Sequence, residues 1–140
     1  REDYANPQVH PQADECFVGT WDEAVAHFAP ARHHYLVVVT RGHKDDADAL
    51  RAIWKHNCQP KYLGMIGSKA KKVTLERILA DEGVDPAWLA SVRTPIGLPI
   101  GAKASGESAV SLVAELVQLR RVGEAQPAET PQESSHPSVV

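Results

Sequence analysis

Residues 34–46 of the chain read HYLVVVTRGHKDD, and residues 62–69 read YLGMIGSK. Each stretch opens on apolar residues and closes on a turn that contains glycine. An apolar run without polar alternation suits a strand that is covered on both faces, as in a parallel sheet. We therefore predict strands over residues 34–40 and 62–66, each followed by a turn and a helix.

Helix signals alternate with these two strands. Thr20 and Glu23 have the spacing of a capping box, which predicts a helix over residues 21–28. A short apolar piece at residues 16–18 is predicted as an additional strand. Helices are also predicted directly after the first strand, after residues 67–68, from residue 86, and over residues 105–122.

The alternation of strands and helices places the chain in the α/β class, with a parallel sheet and right-handed crossovers. Its 140 residues, 43% of them hydrophobic and 24% charged, fit one compact domain and exclude disorder throughout. The last residues are rich in Pro, Ser, Gln and Glu, a composition that cannot bury enough apolar surface to offset chain entropy. We predict a folded domain over residues 1–122 and a disordered tail over residues 123–140.

Charge and hydropathy exclude two classes of partner. Fifteen Lys and Arg against eighteen Asp and Glu give a net charge of -3, with no overall basic field that would indicate nucleic acid. The longest apolar run, residues 35–39, is far shorter than the roughly 20 residues that a membrane-spanning helix needs. Cys16 and Cys58 form neither a C-x-x-C pair nor a dense framework, which favours a reducing, cytoplasmic location.

The turn after the first strand is one candidate site, because ligands of open parallel sheets bind beyond the carboxyl ends of strands. Gly42 permits a tight turn, while Arg41 and His43 can present donors to an anion, and an imidazole such as that of His43 can shuttle a proton. The alternative is that Asp45 and Asp46 only cap the helix and that His43 is a solvated loop residue.

The turn after the second strand is the other candidate site. Its glycines allow close approach of the backbone, and the free N–H groups of the helix that starts after Ser68 favour an anion. Lys69 adds positive charge, although lysine in a first turn opposes the helix dipole. The alternative is a solvated basic face, which the run of Lys69, Lys71 and Lys72 would also form.

Known catalytic and metal motifs are absent from the sequence. The order Gly-Ser-Lys at residues 67–69 is wrong for a Walker phosphate loop, and no G-x-G-x-x-G dinucleotide fingerprint occurs. There is no G-x-S-x-G elbow, and Ser68 has no evident base. The histidines and cysteines lack zinc-site spacing. We therefore assign no catalytic residue and no metal ligand.

A family resemblance is carried by four strings that occur in order, at residues 37–46, 62–69 and 95–102 and at residues 109–111 with 114–115. Together they resemble the C-terminal Rossmann domain of the XdhC/CoxI family, over roughly residues 1–121. The resemblance implies a Rossmann-like, three-layer parallel sheet. Family members begin with a strand, a glycine-rich turn and a helix, so this sheet is expected to lack its first β-α-β unit and to expose apolar surface.

The resemblance also implies a function. Members of the family are xanthine dehydrogenase accessory proteins, which bind molybdenum cofactor and help to insert it into the enzyme. This implies a cofactor chaperone rather than a catalyst, with a xanthine dehydrogenase-type enzyme and a cysteine desulfurase as partners, and it allows a homo-oligomer. The alternatives are an NAD(P)-dependent oxidoreductase domain and an inactive fragment of a larger accessory protein.

The family's cofactor gives both turns a common role. Molybdopterin carries a phosphate that a helix N-terminus and Arg41 or Lys69 could hold. The residues that we predict to bind the cofactor are Thr40, Arg41, Gly42, His43, Gly64, Gly67, Ser68 and Lys69.

Overall fold

The computed structural model describes residues 1–122, so the predicted tail at residues 123–140 lies outside the described residues. The chain divides into two compact units, residues 1–96 and the residues from Gly97 onward. The elements in chain order are α1 (Trp21–Phe28), β1 (Tyr35–Val38), α2 (His43–Lys55), β2 (Tyr62–Met65), α3 (Lys69–Asp81), α4 (Pro86–Ser91) and α5 (Ser105–Val122).

The sheet is parallel, as predicted. β1 and β2 pair directly, with Tyr35 opposite Tyr62 and Val38 opposite Met65. Arg93 forms an isolated parallel bridge to β2, because its N–H donates to the carbonyl of Leu63 at 2.9 Å and its own carbonyl accepts from Met65 at 2.9 Å. The two strands and this bridge confirm the α/β class with a parallel sheet.

The two strands differ in how well they are covered. All four residues of β2 are buried, as expected for a strand with neighbours on both sides. Only Val38 is buried in β1, and the adjacent Val39 is 66% exposed. Within residues 1–122, β1 pairs with β2 alone. The prediction that both strands are covered on both faces is therefore right for β2 and wrong for β1.

The free side of β1 faces an apolar groove of about 310 Å³. Leu36, Val37 and Val38 line it from the strand, and residues of α1 and α2 line it from the helices. The expected exposure of apolar surface beside the first strand is thus present in the structure.

The start of α1 confirms its predicted capping box. Glu23 N–H donates to the Thr20 hydroxyl at 3.1 Å, and Thr20 N–H donates to the Glu23 carboxylate at 2.9 Å. The predicted cap of α2 is wrong, because Gly42 is the residue that precedes the helix and no side chain caps it. Asp46 cannot cap α2 because it lies in the first turn and its carboxylate bonds elsewhere.

Residues 16–18 do not form the predicted strand. Phe17 instead stacks on His27 of α1, with ring centroids 4.7 Å apart, and meets Phe28 edge to face at 6.0 Å. Side-chain packing on the helix thus replaces backbone pairing for this apolar piece.

The hydrophobic core of the first unit lies between β2 and the helices that follow both strands. Trp54 of α2 and Trp88 of α4 close its edge, with ring centroids 5.3 Å apart. Its most deeply buried members, at 2% exposure or less, are Leu50, Met65, Leu75, Leu79, Leu89 and Val92.

The second unit is organised around α5, whose bounds match the prediction. The Glu107 carboxylate accepts the N–H groups of Lys103 and Ala104 at 2.9 and 3.1 Å, which lowers the pKa of Glu107. The preceding loop is tied to the helix because the Ser111 hydroxyl donates to the carbonyl of Leu98 at 2.5 Å. None of the helices over residues 1–122 combines the length and the apolar character that a membrane span needs.

The two cysteines should differ in reactivity. Burial raises the pKa of the Cys58 thiol, whereas Cys16 is only half-buried. We expect iodoacetamide at pH 8 to alkylate Cys16 at least about tenfold faster than Cys58, because the thiolate is the reacting form. Peptide mass spectrometry measures both rates, and urea-unfolded protein is the control in which the difference should vanish. Equal rates in the native chain would contradict the burial of Cys58.

Candidate anion-binding site at two strand ends

The two predicted turns follow neighbouring strands at the same edge of the sheet. β1 and β2 are parallel partners, so their carboxyl ends lie side by side. Beyond the last ladder pair, Ile66 N–H donates to the Val38 carbonyl at 3.1 Å. The turn at residues 40–42 and the turn at residues 66–68 therefore start next to each other.

A buried ion pair ties the two turns together. The Lys71 ammonium in the first turn of α3 contacts Oδ2 of Asp46 in the first turn of α2. Asp46 has no exposed surface, and the Lys71 side chain is 16% exposed. The same ammonium lies 3.4 Å from the Ile66 carbonyl. The N-terminal turns of α2 and α3 are thus in direct contact.

Thr40 supports this ion pair. Its hydroxyl donates to the second carboxylate oxygen of Asp46 and lies 3.3 Å from the Gly42 carbonyl. A hydroxyl has a single proton to donate. Because that proton is directed to Asp46, Thr40 positions the turn and has no donor to offer a bound anion.

The other residues of the first turn reach solvent. The Arg41 guanidinium donates to the Tyr4 hydroxyl at 3.2 Å and lies 5.3 Å from the centroid of the Tyr4 ring. Gly42 precedes α2, and His43 is the exposed first residue of that helix. Arg41 is therefore an exposed cation whose guanidinium packs over the aromatic ring of Tyr4.

The second turn ends at an open helix N-terminus. The Ser68 hydroxyl accepts the Lys71 N–H at 3.2 Å, as an N-cap does. Lys69 and Ala70 are the first two residues of α3. Their N–H groups have no intrahelical acceptor, because no helical carbonyl precedes them by four residues. Both residues are exposed. This end of α3 can therefore accept an anion.

The glycines of the second turn serve close packing. A Cβ on Gly64 would lie 2.6 Å from Cε1 of Tyr62 and 2.7 Å from Cγ2 of Ile96. Gly67 has a φ of +146°, and a Cβ there would lie 2.8 Å from Cδ of Lys71. Gly67 thus leaves the space through which the Lys71 side chain crosses the turn towards Asp46.

The charges favour the α3 end over the α2 end for an anion. Lys71 neutralises Asp46, and Lys72 is directed away to Glu76 and the Ala90 carbonyl. The Lys69 side chain makes no hydrogen bond or ion pair within residues 1–122 and is exposed at the N-terminus of α3. The exposed carboxylate of Asp45 in the first turn of α2 disfavours an anion at that helix.

The described cavities lie elsewhere. One of about 670 Å³ is lined by Asp48, Arg51 and Glu82 together with residues of α1 and α2. Neither it nor the other two contains any of the eight predicted site residues. No group of three or more His, Cys, Asp or Glu in the described part of the chain could hold a metal ion. The candidate site consists of the two turns at the edge of the sheet, which we call the rim.

Comparison with known proteins places the fold in a family. Residues 1–116 match the family described as the XdhC Rossmann domain, and the chain belongs to this family. It is 29% identical over 121 residues to a probable xanthine dehydrogenase subunit of Bacillus subtilis strain 168, in an alignment that covers 86% of this chain and 34% of that protein.

A solved structure shows the same fold. A crystal structure described as a xanthine dehydrogenase from Bacillus halodurans matches 87% of this chain and 34% of its own, with 25% identity and a TM-score of 0.71. The chain therefore spans about a third of the length of both relatives.

Sequence reasoning misses the contact that joins the two turns. The sequence predicts Asp46 as a helix cap and Lys71 as one member of a basic face, yet they form the buried pair. The only hint in the sequence is the second acid of the Asp45-Asp46 pair, since one carboxylate is enough for a cap. Tyr4 is also missed, because its contact with Arg41 links distant positions of the chain.

The ion pair should contribute strongly to stability. We expect Lys71→Met to lower the free energy of unfolding by about 3 kcal/mol or more, because it leaves a buried carboxylate without its partner. Asp46→Asn should cost less, since the freed ammonium keeps a route to solvent. Urea unfolding followed by circular dichroism measures both. The matched control is Lys72→Met, whose ion pair with Glu76 is partly exposed and should be worth at most about 1 kcal/mol. An equal loss in Lys71→Met and Lys72→Met would show that the buried pair is not special.

Two glycines of the predicted site should respond differently to alanine. Gly64→Ala introduces a Cβ that Tyr62 and Ile96 cannot accommodate, and we expect it to cost about 1–3 kcal/mol. Gly42→Ala meets no atom within 4 Å and should cost less than about 1 kcal/mol. Thermal unfolding of the two variants provides the comparison, and a Gly64→Ala protein as stable as Gly42→Ala would refute the packing role of Gly64.

Proposed function

We propose that this chain is the part of a xanthine dehydrogenase accessory protein that binds molybdenum cofactor, and that it holds the phosphate of the pterin at the N-terminus of α3. The proposal is supported by one observation above all, the ion pair that holds two strand-end turns together at the edge of a parallel sheet. That edge is where open α/β sheets bind ligands. Membership of the XdhC Rossmann family supports the choice of molybdenum cofactor as the ligand.

The residues present fit a phosphate. The N–H groups of Lys69 and Ala70 are available at the start of α3, and the Ser68 hydroxyl can donate its proton while accepting from Lys71. The Lys69 ammonium and the Arg41 guanidinium supply positive charge from the two turns. Gly42 and Gly67 keep side chains out of the turns, and His43 adds a further donor at the rim.

The cofactor and the chain have separate roles in this proposal. The cofactor, when bound, supplies a redox-active molybdenum centre for the client enzyme. The chain itself holds the phosphate, orients the pterin against the rim and offers no catalytic side chain there. We propose a xanthine dehydrogenase-type enzyme as the recipient and a cysteine desulfurase as the source of sulfur, and a second copy of the chain as a further contact.

The proposal is tested by retention of pterin. We expect Arg41→Ala and Ser68→Asp each to reduce the molybdopterin retained after anaerobic gel filtration by about tenfold, through loss of a charge-assisted bond or repulsion of the phosphate. Ser68→Asp is chosen because aspartate preserves the helix cap, so α3 remains folded. The fluorescence of the oxidised pterin gives the retained amount.

The matched control for Arg41→Ala is Arg77→Ala, which removes an exposed guanidinium from α3 away from both turns. It should retain pterin as the unsubstituted chain does. Unchanged retention in both Arg41→Ala and Ser68→Asp would remove the two turns from the site. Retention of NADH in place of pterin would favour the oxidoreductase alternative.

A further inference from the structure

We propose that Lys71 contacts the phosphate of the bound pterin from its position between the two turns, and that Asp46 is the positioning residue that holds Lys71 there. This inference rests on the proposed function and deepens it, since it adds a second lysine to the anion site and assigns a role to the buried carboxylate.

The Lys71 ammonium lies at the turn that precedes α3. A Cβ built on Gly67 would lie 2.8 Å from Cδ and 3.4 Å from Nζ of Lys71. The Lys71 side chain therefore runs across the turn that leads into α3. It passes Gly67, the residue before the N-cap Ser68. Its ammonium lies at the same turn as the open N–H groups of that helix.

The Lys71 ammonium has an unused capacity to donate hydrogen bonds. An ammonium has three protons to donate. One is directed to the Ile66 carbonyl at 3.4 Å, and the ammonium also forms the ion pair with Oδ2 of Asp46. The part of the chain that the structure describes provides no other acceptor for it. Because the side chain keeps 16% of its exposure, one donor can serve a ligand oxygen.

Asp46 is contacted at both carboxylate oxygens. The carboxylate is fully buried, the Lys71 ammonium pairs with Oδ2, and the Thr40 hydroxyl donates to Oδ1. Because Asp46 has no exposed surface, it does not itself meet a ligand, and it holds the lysine in position instead. Without it the flexible lysine side chain would turn towards water, where its charge is better solvated.

A positioning role and a simple charge effect predict opposite changes in the anion affinity of the Asp46→Asn variant. Asp46→Asn removes a negative charge close to the anion site, so charge alone predicts tighter binding of an anion. If Asp46 positions Lys71, the same variant binds an anion more weakly despite the gain in net positive charge. The direction in which the anion affinity changes therefore separates the two explanations. A purely structural role of Asp46 would leave the anion affinity unchanged.

The experiment titrates the 140-residue chain with inorganic phosphate and follows binding by ³¹P NMR. We expect Lys71→Met and Asp46→Asn each to weaken phosphate binding by about tenfold. The double variant should bind no more weakly than Lys71→Met alone, because both changes remove the same interaction. Circular dichroism at the titration temperature ensures that each variant is compared in its folded state.

Two controls match the charges that are removed. Lys61→Met removes a lysine at the amino end of β2, opposite the turns, and Asp81→Asn removes a carboxylate at the far end of α3. Both should bind phosphate within about twofold of the unsubstituted chain. Tighter binding by Asp46→Asn would overturn the positioning role, and unchanged binding by Lys71→Met would overturn the contact.

The outcomes also separate this inference from the proposed function. If the chain retains pterin but the Asp46 and Lys71 variants bind phosphate normally, the function stands and the inference is wrong. If the variants behave as expected with phosphate but no chain retains pterin, the anion site is real and its assignment to molybdenum cofactor is wrong. Absence of any phosphate binding by the unsubstituted chain would overturn the inference outright.

Discussion

The buried ion pair between Asp46 and Lys71 is the interaction on which the arrangement of the sheet edge depends. A carboxylate without solvent contact is tolerated only with a charged partner and further hydrogen bonds, which here come from Lys71 and Thr40. Because the two partners lie in the first turns of α2 and α3, the pair fixes the two helix N-termini against each other.

A glycine lies beside the pair. The Lys71 side chain occupies the space next to Gly67 that a Cβ would enter, and the φ of +146° at Gly67 is one that other residues rarely adopt. Gly64 serves a separate purpose inside β2, where Tyr62 and Ile96 occupy the space of its missing side chain. Gly67 thus lies beside an electrostatic contact, whereas Gly64 is required by close packing.

Sequence reasoning succeeds where the determinants are local. The capping box at Thr20 and Glu23 places α1 to the residue, because both partners lie within one turn. The strand Tyr62–Met65 is found because its four residues are all buried and all suit a covered strand. The failures are residues whose partners are distant in the chain: Phe17 packs on α1 instead of forming a strand, and Asp46 pairs with Lys71 instead of capping α2.

The amino-acid sequence by itself determined the α/β class, the parallel strands and the two turns at which chemistry could occur, since apolar patterning and turn residues are local properties. Only the tertiary structure decided which side chains of those turns are available. It commits the Thr40 hydroxyl and the Asp46 carboxylate to each other and directs Lys72 away, while Lys69 and Arg41 stay exposed. The physical reason is that burial and ion pairing arise between segments that the sequence separates, and no local pattern records them.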